Sequence, residues 1–121
     1  MGFKKILKDM VKGVAGGYAG TIMEMDGITV EDYVKEGSVC DIEALGVEYG
    51  NVLGEIRKAS MVLNLGEVEE IVVLSGNSRV IMRLVSPDYF LAFVVSGDAV
   101  LGRARYLAGK AAKTVREELL R

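Results

Sequence analysis

Between Val68 and Val95 the chain carries three apolar, β-rich runs joined by links short enough to be simple reversals. The runs are Val68 to Leu74, Val80 to Val85 and Tyr89 to Val95. The links turn at Gly76-Asn77 and at Ser86-Pro87-Asp88. Parallel neighbours need a crossover of about a dozen residues, so links this short force each strand to run antiparallel to the one before. The segment predicts an antiparallel meander. Upstream, the runs Tyr18 to Met25 and Ile28 to Val34 flank Asp26-Gly27. Asp-Gly between strands predicts a hairpin whose two central residues both take positive φ.

Helices fill the remaining length. Phe3 to Val14 has apolar residues at 3, 6, 7, 10, 11 and 14, the spacing of one helix face, and stops at Gly16-Gly17. Glu36 to Val39 is a connection, after which Ser38 or Asp41 can cap a long helix from about Asp41 to Leu65, ended by Gly66. Its apolar stripe reads Leu45, Tyr49, Val52, Ile56, Ala59 and Leu63, and is expected to be the core face. Gly97-Asp98 opens a last helix, Ala99 to Leu120. The order is α-β-β-α-β-β-β-α. This is an α+β class domain spanning 1–121, with a five-stranded antiparallel sheet between one long helix and two terminal helices.

What the chain lacks narrows its chemistry. It has no histidine, no tryptophan and one cysteine. No Ser-His-Asp or Cys-His nucleophile pair, His-bearing metal site, zinc site or intrachain disulfide can be assembled from that inventory. There is no GxxxxGK[ST] loop, and the glycines at 13, 16, 17 and 20 follow a helix and open a strand, the reverse of a dinucleotide loop. Cys40 reads as a half-buried small residue, since Asp41 and Glu43 oppose a thiolate. Met10, Met23, Met25, Met61 and Met82 read as gap-filling residues. No catalytic, cofactor-binding or metal-binding residue is expected, and the chain reads as a non-enzyme.

Charge bounds the partners. The net charge of −2 gives no global basic field for nucleic acid. Residues 24 to 70 nevertheless hold twelve acids and three bases, a balance of −9, while Lys4, Lys5, Lys8 and Lys12 and six C-terminal bases face outward from the terminal helices. No apolar run reaches the ~20 residues of a membrane span, and no signal peptide is evident. A single cysteine suits a reducing cytoplasm.

One feature of the long helix asks for a reason. Gly46, Gly50 and Gly54 stand at steps of four, and each glycine inside a helix costs roughly 1 kcal/mol against alanine. The line they make lies more than a quarter turn from the expected core stripe. A flattened helix side admits another backbone, so this flank is expected to meet a second polypeptide (a twin helix, another protein, or both); the alternative is that a neighbouring element of the same chain fills it. Val47, Leu53, Arg57, Lys58 and Met61 border it. Ile71 to Leu74 is apolar at every position, which suits a strand inside a sheet, yet the first strand of a meander is an edge unless something pairs with it.

The whole chain resembles the Roadblock superfamily, which includes dynein light chains, Ragulator-type scaffold subunits and the bacterial MglB type. The resemblance rests on the element order, the hairpin Gly20-Thr-Ile-Met-Glu-Met-Asp-Gly27 ahead of a small-residue helix, and the strand Glu70-Ile-Val-Val-Leu74. It rests also on the return strand Arg79 to Val85, on Tyr89-Phe-Leu-Ala-Phe-Val-Val95, and on a last helix opening with Val100-Leu-Gly-Arg103. It implies a homodimer with antiparallel central helices and paired first meander strands, which puts Gly46, Gly50, Leu53, Val68, Ile71 and Val73 at the dimer interface. It implies a Ras-like small GTPase as the second partner, met by Val47, Gly54, Arg57, Lys58 and Met61. In the MglB type two subunits hold one GTPase and accelerate hydrolysis without an inserted arginine finger. Arg57 would then touch the partner outside its active site; alternatively it forms a surface ion pair with Glu55 or Glu43. Beside a GTPase regulator stand a passive dimeric scaffold and a small-molecule sensor resembling GAF or PAS domains, the last needing a polar-lined pocket between sheet and helix.

Overall fold

Short reversals set the topology, and the computed structural model, which describes residues 2–121, shows them where the turn residues stand. The elements are α1 (Phe3–Lys12), β1 (Gly17–Glu24), β2 (Thr29–Val34), α2 (Ile42–Val62), β3 (Glu70–Leu74), β4 (Ser78–Ser86), β5 (Tyr89–Ser96) and α3 (Leu101–Leu119). This is the expected order. One antiparallel five-stranded sheet results, with strands in the order β2-β1-β5-β4-β3. The meander β3-β4-β5 holds Ile71 opposite Met82 and Ile81 opposite Phe93.

The β1–β2 hairpin differs in detail from its expectation. Only Gly27 takes positive φ, at 95°. Its N–H donates to the Glu24 carbonyl at 2.9 Å, and the Glu24 N–H donates to Ile28 at 2.8 Å. The turn is therefore longer than two residues, so Asp26 stays in ordinary backbone space. α1 ends at Lys12 with Gly13 as its C-cap, ahead of the stop expected at Gly16-Gly17; Gly16, with φ 89°, turns the chain into β1, and its carbonyl accepts from the Ser96 N–H at 2.8 Å.

Each face of the sheet has its own core. Leu7 and Val11 of α1 and Ala108 and Val115 of α3 pack on Ile22, Ile81, Leu91 and Phe93. On the opposite face Ile42 and Leu53 of α2 pack with Met23, Met82, Phe90 and Ala92. The layers follow from strand alternation: Ile81 and Met82 are neighbours in sequence and lie in different cores. The outer edges are unlike. Beyond β3 no strand follows. At the other edge, the Lys4 ammonium donates to the Asp32 carbonyl of β2 at 3.0 Å and stands 3.6 Å from Glu31.

The long helix is capped at both ends. The Asp41 carboxylate accepts from the Ala44 N–H at 3.0 Å. At the far end Asn64 takes φ 56°, the Leu65 N–H donates to Ser60 at 2.9 Å and the Asn64 N–H to Met61 at 3.1 Å. That is a Schellman closure with asparagine in the left-handed position. The helix thus ends before Gly66, because Asn64 tolerates that conformation and reaches it first. Asp41→Ala should lower the unfolding free energy by about 1 kcal/mol in a urea titration, whereas Asn64→Gly should leave the midpoint unchanged or raise it. Equal losses in both variants would mean that the caps do not act as described.

Candidate interaction surface

The glycine line faces inward. A Cβ built on Gly46 would stand 2.6 Å from the Met23 Cε and 3.5 Å from the Thr21 Cγ2, and one on Gly50 would stand 3.0 Å from the Phe90 Cζ. Both glycines are buried. So α2 lies close on its own sheet, and the space expected for a second polypeptide is filled by Met23 and Phe90. This corrects the expectation for Gly46 and Gly50 as dimer-interface residues, and for Leu53, which is fully buried beside them. The physical reason is stacking distance. A helix with glycine at its contact points settles closer to a sheet, and the large side chains of the sheet fill the grooves the missing Cβ atoms leave.

Seating α2 on its glycines turns the expected core stripe outward. Leu45 and Tyr49 are half-buried, while Val52, Ile56 and Leu63 are 48%, 37% and 65% exposed. At 100° per residue, Val52, Ile56, Ala59 and Leu63 fall within about 60° of one another and about 100° from the buried line. Among the described residues, eight of the thirteen large hydrophobics that stand exposed lie between Val47 and Leu74. Among these, Val52, Ile56 and Leu63 form one apolar tract on α2. The sequence signal for it was Ile42 and Leu53, which bracket Gly46 and Gly50 at helical spacing and mark the true buried line.

The edge strand is apolar as well. Ile71, Val73 and Val68 pack at the margin of the α2-side core and are half-buried, and Leu74 is exposed. β3 has β4 on one side and no strand on the other. An open edge with apolar side chains and an exposed apolar helix stripe are both surfaces that soluble proteins cover.

The residues expected to meet a GTPase separate. Arg57 is held within its own chain: its guanidinium donates to the Pro87 carbonyl at 2.9 Å and approaches Glu67 at 3.7 Å. Glu67 takes the place of the expected Glu55 or Glu43, and Glu55 binds Lys58 at 3.4 Å. Val47, Gly54, Lys58 and Met61 fall within about 60° on the helix flank opposite the apolar stripe. Gly54 has open space where a Cβ would be. Gly27 of the hairpin sits beside this flank, its built Cβ 3.9 Å from Val47.

Among the described residues no group of three or more Cys, Asp or Glu is placed to hold a metal ion, and no helix is long and apolar enough to cross a membrane. Cys40 is half-buried; burial first, and then the Asp41 carboxylate, push its thiol above the ordinary range. Met10, Met23 and Met82 are buried gap-fillers, as expected, while Met61 is exposed. The close contacts of Gly46 and Gly50 fill the space between α2 and the sheet where a sensor pocket would lie.

No family model and no curated protein matches the chain. Solved structures do. MglC from Myxococcus xanthus is 39% identical over 98% of this chain and 99% of that one, with a TM-score of 0.70. A Roadblock/LC7 domain from Streptomyces avermitilis is 15% identical over 98% of each, with a TM-score of 0.87. MglB from Myxococcus xanthus is 12% identical over 97% of this chain and 94% of that one, with a TM-score of 0.85. The latter two likenesses are of fold, and the first extends to sequence along the whole chain.

Two substitutions test this geometry. Gly50→Leu should destabilise the fold by about 1–3 kcal/mol, read as a lowered urea midpoint, because its side chain must displace the Phe90 ring. An unshifted midpoint would return this flank to the surface. Asp41→Asn keeps an N-capping oxygen and removes the charge beside Cys40, so Cys40 should react faster with a disulfide reagent at pH 8 than in the parent. An equal rate would assign the suppressed thiolate to burial alone.

Proposed function

The chain belongs to the Roadblock superfamily, close to MglC and MglB, and on that premise we propose that it is a non-catalytic homodimeric regulator of a Ras-like small GTPase. The apolar tract of α2 and the open edge of β3 carry the reading. Full burial of a Val, Leu or Ile side chain contributes about 1.5–3 kcal/mol, so covering Val52, Ile56 and Leu63 twice, once in each copy, supplies a strong driving force. Antiparallel α2 helices would cover this stripe, and paired β3 strands would satisfy the open edge and extend the sheet. Val68, Ile71 and Val73 remain interface residues in this arrangement; Val52, Ile56 and Leu63 replace Gly46, Gly50 and Leu53.

The GTPase is assigned to the other flank of α2, at Val47, Gly54, Lys58 and Met61. Gly54 leaves a smooth spot there, and Lys58 offers a charge held only by an exposed pair, an interaction worth less than about 1 kcal/mol and easily exchanged. Arg57 is spent on its own fold. Regulation by this chain therefore acts through shape and not through a donated arginine, in keeping with what the resemblance implies.

In sedimentation the chain should run as a dimer of twice 13.1 kDa, and Ile56→Asp should yield a folded monomer. A parent monomer at micromolar concentration would remove the dimer. Val47→Asp and Met61→Asp should leave the dimer and weaken a GTPase pull-down. Phosphate release measured with and without the dimer decides the kind of regulator: acceleration marks an activator, and an unchanged rate with binding marks a scaffold.

A further inference from the structure

We propose that a basic cleft at the start of β3 binds a small phosphate-bearing anion. The cleft forms because the strands end unevenly. Glu70, the first residue of β3, pairs with Arg83, the Leu84 N–H donates to the Glu69 carbonyl at 3.0 Å, and beyond it β4 runs on to Ser86 with no β3 residue beside it. The opening holds about 590 Å³, within the size range of small-molecule sites. Four cations line it, Arg57, Arg83, Lys113 and Arg116, against two acids, Glu67 and Glu69. A local surplus of two positive charges stands out in a chain whose net charge is −2.

That surplus is not absorbed internally. Glu70 approaches Arg83 only to 4.0 Å, and its carboxylate is engaged by Arg105, with contacts of 2.7 and 3.2 Å. The Glu70 hydrogen bond, and then its charge, hold the Arg105 guanidinium above its ordinary range. The side chains of Lys113 and Arg116 make no hydrogen bond or ion pair among the described residues. Arg57 and Glu67 offset each other, with the guanidinium held on the Pro87 carbonyl, so the surplus rests on Arg83, Lys113 and Arg116 against Glu69.

The shape suits the charge. Lys113 and Arg116 project from successive positions on one side of α3, and Gly109 lies one turn earlier on that side. A Cβ at Gly109 would stand 4.0 Å from the Arg83 guanidinium carbon, so the absent side chain leaves Arg83 open to the cleft. Cations gathered in a walled cleft focus their field and are relieved by a multiply charged anion. Guanidinium groups grip phosphate oxygens in pairs, and a lysine adds a point charge. Leu84 and Pro87 give the cleft an apolar margin that the organic body of a phosphate ester could meet. The inference is independent of the GTPase reading, since it concerns the chain alone.

Titration calorimetry on the full chain tests it, with pyrophosphate and ATP as probes. Saturable binding of one ligand per chain is expected, with ATP the tighter because its body meets the apolar margin. Lys113→Ala and Arg116→Ala should each weaken binding about tenfold, the loss of one charge-assisted contact. Gly109→Leu, which fills the cleft, removes no charge and favours the helix, should abolish it with the thermal midpoint retained. Lys8→Ala, on the exposed face of α1, should change nothing. Absence of saturable binding overturns the site. So does a Lys8→Ala loss equal to that of Arg116→Ala, which would mean diffuse attraction, or parent-like binding by Gly109→Leu.

Discussion

The close seating of α2 on its sheet governs most of what this molecule presents to its surroundings. Two glycines replace side chains at the contact, and each costs roughly 1 kcal/mol of helix propensity. In exchange the helix backbone closes over Met23 and Phe90, both fully buried, and burial of that order returns about 1.5–3 kcal/mol for each side chain. The rotation this imposes matters as much as the energy. With its small residues turned inward, α2 has nowhere to put Val52, Ile56 and Leu63 but outside. A helix with a normal apolar core face would have hidden them and left nothing for a partner. The same contact that closes one core therefore opens a sticky surface.

Charge is divided along similar lines. The acids concentrate from residue 24 to 70, while most of the bases sit on α1 and α3. Several of those bases act as ties between layers. Lys4 reaches β2, Arg103 donates to the Gly13 carbonyl at 3.2 Å, and Arg105 grips Glu70. Exposed pairs of this kind contribute little each to stability. Their effect is positional: they fix where the terminal helices lie on the sheet.

Much of the architecture was legible in the residues. Turn chemistry and the change from helical to alternating period are local signals, and they set element order, the antiparallel meander and the division of helices between the two faces. The buried residues of α1 and α3 were legible too, since Leu7, Val11, Ala108 and Val115 form uniform stripes. The α2 orientation was not. Hydrophobic periodicity assumes that the largest apolar residues face the core, and α2 inverts this by giving the core its smallest ones. Periodicity cannot tell a stripe that meets the chain's own sheet from one that meets something else. The reach of Arg57 to Pro87, thirty residues away in sequence, depends on tertiary placement that no local pattern encodes. The cation cleft was likewise invisible, because it draws on α2, β4 and α3 together.

The two borders of the sheet are chemically opposite. Along β3 the border is bare and apolar. Along β2 it carries Glu31 and Asp32, with a lysine from α1 clamped across it. Two such acidic borders repel one another, and an acidic border offers a greasy one no match. In the proposed dimer, growth by strand addition through β3 would therefore happen once and then stop, giving a closed unit and not a fibre. An assembly begun in that way would be self-limiting, because its second step is unfavourable.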